Sequence, residues 1–130
     1  MSHTFTIDPE ARLVVIRYQG EVTLAEMNQM AEKMLTHPDY QETFNGVSDY
    51  RDAYTHMTVD EFYSLIDAAI EHDAAKGKWC LLSTTPNETG FSYLYKDKLK
   101  VLHDTGVFST LQAGSDFLNT DLSRYLPSDL

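Results

Sequence analysis

The chain has 130 residues, of which 42% are hydrophobic, and carries 20 acidic against 10 basic side chains, a formal net charge of -10. The length suits one domain with a sizeable core, and the composition excludes a disordered chain. The acidic balance repels phosphate backbones, which argues against nucleic acid as a partner, and no apolar run reaches the roughly 20 residues of a membrane-spanning helix.

Residues 4–7 alternate, Asp8-Pro9-Glu10-Ala11 supplies turn chemistry, and residues 13–18 are rich in β-branched side chains. This predicts an opening β-hairpin, ended by Gly20. Over residues 23–36, Leu24, Met27, Met30, Ala31, Met34 and Leu35 recur at helical spacing, and His37-Pro38-Asp39 stops the helix. Residues 44–50 read as a short strand. Residues 58–75 read as a second helix, with Phe62, Leu65, Ile66, Ala69 and Ile70 on one face. Residues 78–84 form a nearly continuous apolar strand, the kind covered on both sides. A third helix over 85–102, a brief strand at 107–108 and a final helix over 109–118 complete a single domain spanning 1–118. Residues 119–130, with Pro127, read as a loosely held tail.

Four helix starts share one device. Thr23 precedes Glu26, Thr58 precedes Glu61, Thr85 precedes Glu88 and Ser109 precedes Gln112, each at capping-box spacing. The predicted order is β-β-α-β-α-β-α-β-α. It implies an α/β fold with a mixed, mostly parallel central sheet, opened by the hairpin and joined by right-handed crossovers.

Several stretches of this order resemble one family. RLVVIRYQGEVTLAEM is similar to the strand, glycine and first helix of the SpoIIAA-like family, which is related to STAS domains (anti-sigma-factor antagonists and sulfate-transporter domains). GVSDYRDA resembles its strand ending in Asp-x-Arg-Asp, KWCLLST its next strand, and VFSTLQAGSDFL its closing strand and helix. The resemblance implies a STAS-like sandwich, bacterial in style, that acts as a binding or regulatory module rather than an enzyme. Likeness between some members and CRAL-TRIO lipid-binding domains adds a lipophilic ligand to the implied possibilities.

Candidate sites follow. In antagonist STAS domains a regulatory serine opens the helix after the third strand. Here that segment has no serine and offers Thr58 or Thr55 as phosphate acceptors, and Thr58 already has a capping role. Asp49, Arg51 and Asp52 occupy a predicted strand end, where ligands of open α/β sheets gather, and Thr84 ends the neighbouring strand. Arg51 there either grips an anion or pairs with Asp49 as a structural ion pair, the reading favoured. On the third helix, Phe91, Tyr95 and Lys96, with Lys98 and Lys100, suit a lid over an amphiphile with an anionic head, or a peripheral membrane contact. The same face read as core is the stronger alternative.

No catalytic constellation is recognisable, the weakest reading being an enzyme built on Asp49, Arg51 and His56. His3, His37, His56, His72 and His103 lack metal-ligand spacing, so neither metal nor other cofactor is expected. Cys80 lies in an apolar strand as a buried, inert thiol. The opening MSHTFTIDPE has no secretory pattern, which leaves the cytoplasm as the expected location. The leading reading is a non-enzymatic STAS-like module with a protein partner, in a form that allows a homodimer. The alternative is a carrier or sensor of a small lipophilic or anionic ligand, held between the strand ends and the third helix.

Overall fold

The computed structural model describes residues 3–71, 76–100 and 104–129. Its elements are β1 (His3–Asp8), β2 (Leu13–Val22), α1 (Leu24–Leu35), β3 (Asn45–Thr55), α2 (Val59–Glu71), β4 (Trp79–Leu82), α3 (Pro86–Leu99), β5 (Thr105–Phe108) and α4 (Leu111–Leu118). A single 3-10 turn, Leu122–Arg124, follows. The predicted ends of the second and third helices, residues 72–75 and 101–102, lie outside the described residues.

The strands stand side by side in chain order, β1-β2-β3-β4-β5. β1 is antiparallel to β2, and the later neighbours are parallel, so the sheet is mixed and mostly parallel as predicted. Because parallel crossovers are right-handed and this sheet grows in one direction, α1, α2 and α3 are carried to the same face. The two core layers agree. Val14, Ile16 and Tyr18 of β2 pack with Met27, Met30 and Met34 of α1. The alternate residues Leu13 and Val15 point the other way and join Val47, Cys80 and Leu82 beneath Leu111 and Leu118 of α4. Helix α2 rests mainly on α1 and α3, burying Phe62 and Ile66 against Leu99.

β2 and β3 both outrun their predicted ends. Gly20, at φ 70°, sits inside β2, just past a register slip between Arg17 and Gln19. Glycine takes that left-handed backbone without strain, so it re-aims the strand after the bulge rather than ending it. Gln19 to Val22 then offers β3 a partner as far as Thr55. Asp49-Tyr50-Arg51-Asp52 is therefore strand interior, not the exit expected of it.

The caps divide. Thr58 and Glu61 form the complete box, with bonds of 3.1 and 2.9 Å, and Thr23 accepts from the Glu26 N–H at 3.3 Å. Thr85 makes no side-chain cap bond, because its hydroxyl donates to the Glu88 carboxylate instead. The last helix is capped by Thr110, which accepts from the Ala113 N–H at 3.2 Å, not by Ser109. Phe108 is still pairing with β4 and accepting from the Ser83 N–H, so the helix starts later than predicted.

The tail is not loosely held. Asn119, in the left-handed conformation, turns the chain at the end of α4. Leu122 and Leu126 then join the core layer under α4, both buried. Burying two leucines outweighs the disorder suggested by polar neighbours and Pro127.

Candidate functional site

Strand alternation separates the residues that the sequence grouped. Tyr50 of β3 faces the α1 side with the first core layer, and Asp49 and Arg51 project from alternate positions, to the opposite face. Asp49 is 1% exposed. Its Oδ1 accepts from Arg51 Nε at 2.9 Å and from the Arg51 backbone N–H at 3.0 Å, and its Oδ2 accepts from Nη2 at 2.9 Å. Arg17 Nε lies 3.8 Å from Oδ2. The rest of the guanidinium holds the C-terminal segment, with Nη2 donating to the Pro127 carbonyl at 2.8 Å and Nη1 to Asp129 at 2.7 Å. Asp129 in turn accepts from the Leu111 N–H that opens α4.

The Asp49 hydrogen bond, ahead of the opposing desolvation, raises the Arg51 pKa and keeps the side chain charged. The edge that would grip an anion in two-pronged fashion is held by Asp49. Asp52 is exposed and pairs with Arg17 at 2.5 Å, and the Thr84 hydroxyl donates weakly to the Arg51 carbonyl at 3.4 Å.

On the other face lies a cavity of about 390 Å³. Its floor comes from the sheet, including Tyr18, Tyr50 and Trp79, and its walls from Met27, Met30 and Met34 of α1 and from Leu65, Ala68 and Ala69 of α2. The space exists because α2 leans on its neighbouring helices and presents alanines toward the sheet. The rings of Tyr18 and Tyr50 stack 5.0 Å apart, 8° from parallel. Burial pushes the pKa of Tyr18, Tyr50 and Tyr95 up, so these phenols stay neutral. Ser48 hydrogen-bonds the Tyr50 hydroxyl, whereas the buried Tyr18 hydroxyl has no hydrogen-bond partner among the described residues.

The predicted lid residues lie elsewhere in part. Tyr95 reaches the cavity, but Phe91 lines a separate space of about 20 Å³ with Phe62 and Glu88. That is room for a water, not for a ligand. Lys96 is exposed, Lys98 lies 5.5 Å over the Tyr63 ring, and Lys100 lies 3.6 Å from Asp97. An open, more polar space of about 460 Å³ on α3 is lined by Tyr93, Lys96 and Lys100, while the apolar cavity of about 390 Å³ lies under α1 and α2.

Glu88, buried at the start of α3, accepts the Thr55 N–H at 2.6 Å, the Thr85 hydroxyl and the Asn87 amide. Desolvation pushes its pKa up, but the combined hydrogen bonds outweigh this and hold it below the ordinary value. His56 bonds Glu21 at the surface rather than Asp49 or Arg51. Buried His3 contacts Glu26 through Nδ1 and lies 3.3 Å from Lys33 Nζ through Nε2. Desolvation raises the Cys80 thiol pKa to about 12. Among the described residues no three His, Cys, Asp or Glu side chains are grouped to hold a metal, and no helix is long and apolar enough to cross a membrane.

Sequence reasoning recognised the α1 methionines as a helix face but not as a cavity wall. The available signal was their number: three methionines within eight positions, opposite alanines rather than large side chains on the next helix.

No protein-family model matches the chain, and no curated protein matches it. Among solved structures it is similar to an uncharacterized protein from the DUF3478 family with a SpoIIAA-like fold, from Shewanella loihica PV-4. The TM-score is 0.62 at 8% sequence identity, over 90% of this chain and 94% of that one. The fold is SpoIIAA-like, as the sequence resemblance implied. At this identity the likeness speaks for the fold alone.

Proposed function

We propose that this chain is a non-catalytic, cytoplasmic binding module whose ligand is a small apolar molecule held between α1, α2 and the sheet. The observation that carries the reading is the cavity of about 390 Å³, a size typical of small-molecule sites. The space is mostly apolar inside and opens at a rim of exposed Asn28, Glu32 and Thr36, the form of a small-molecule cleft. Methionine walls adapt to ligand shape. Apart from the exposed Glu32, the described lining residues are apolar, aromatic or neutral polar, which suits binding of an apolar ligand.

A protein partner would read occupancy, the Thr58 hydroxyl and N–H serving the capping box of α2. The test is fluorescence of N-phenylnaphthylamine, a neutral apolar dye. It should brighten with wild-type protein and not with Ala68→Trp, which fills the cavity. A dark wild-type sample, or a folded variant that still brightens the dye, would sink the reading.

A further inference from the structure

The charge lining the cavity restricts what it accepts. We infer that the ligand carries no negative charge, as in an alcohol, ketone or ester on a hydrocarbon chain or ring, and that Glu32 at the rim helps exclude anions. This deepens the apolar-site reading and rests on it.

Among the described lining residues there is no Lys, Arg or His, and the sole charged side chain is Glu32, exposed on α1. A carboxylate or phosphate head drawn into this space would lose its hydration and gain no cation, an expensive transfer. At the mouth it would meet an acid on a chain of net charge -10. Lys33, the next residue of α1, is turned to β1, with Nζ 3.3 Å from His3 Nε2. The α3 lysines that the sequence offered to an anionic head do not line the cavity either. Burial keeps Tyr18, Tyr50 and Tyr95 protonated, so the floor carries no charge of its own. What the lining offers is neutral hydrogen bonding, from Asn28 on α1 and from Ser48 and the Tyr18 hydroxyl on the sheet.

Displacement of N-phenylnaphthylamine from wild-type protein by decanol and by decanoate, equal in chain length and differing in charge, tests the inference at neutral pH. Decanol should displace the dye at a concentration at least about tenfold lower than decanoate. Glu32→Lys, an exposed change, should raise decanoate affinity several-fold relative to that for decanol. Equal or stronger displacement by decanoate would overturn the inference while leaving an apolar site in place. A decanoate affinity unmoved by Glu32→Lys would overturn the role of Glu32. If the dye never binds wild-type protein, the site itself is absent and both readings fall.

Discussion

Arg51 shows how one side chain can look like a site and serve as a fastener. Its guanidinium meets Asp49, Pro127 and Asp129, and Asp49 is almost wholly withdrawn from water. A buried pair contributes little over an apolar substitute, but removing one member leaves the other charge uncompensated. Arg51→Ala should therefore lower stability by about 3 kcal/mol, read by urea unfolding. Dye affinity should hold in the folded fraction, because the cavity lies across the sheet. Unchanged stability with lost dye binding would reverse the assignment. Tyr18 is the opposite case, a hydroxyl buried without a hydrogen-bond partner among the described residues.

Between elements, Glu88 does comparable joining, tying the end of β3 to the start of α3 through the Thr55 N–H and the Thr85 hydroxyl. Its native pKa lies below the ordinary 4.5. The carboxylate therefore adds stability above that ordinary value, and the contribution is lost as pH falls through the native one. Glu88→Gln should cost about 1 kcal/mol at neutral pH and progressively less in acid. Denaturation midpoints of both proteins across that range would show it, and a gap that does not change with pH would refute the ionic role. Thr85 and Glu88 were visible in the sequence as a capping box, and their real pairing was not, since spacing alone cannot say that Thr55 from β3 arrives as a competing donor. The same limit explains β3. Asp49 and Arg51 read as an ion pair at a strand end, and alternation along one strand does not reveal the neighbouring Arg17, the tail, or β2 extended past a bulge. Helix count, the order of elements along the chain and the mixed sheet were legible, because hydrophobic period and turn chemistry are local. The cavity was not, because it depends on where α2 rests.

The monotonic strand order divides the molecule into two unlike halves. With no reversal in the sheet there is no crevice at a topological switch point, the feature that draws ligands to strand ends in doubly wound folds. Three helices share one face, and one of them stands off the sheet above the cavity. Among the described residues the other face has one helix, α4, too short to cover it, and the C-terminal segment completes that layer with Leu122 and Leu126. Each leucine contributes about 1.5–3 kcal/mol by burial, against a net stability of about 5–15 kcal/mol for a domain. Shortening the chain to end at Leu118 removes both, and also takes Asp129 from Arg51 and from the first turn of α4. The truncated chain should lose its cooperative thermal transition, observed by circular dichroism. The milder Leu122→Ala should keep the transition and lower stability by about 2–5 kcal/mol. A truncated protein melting sharply at the wild-type temperature would show that α4 covers its face unaided and that the segment is an appendage after all.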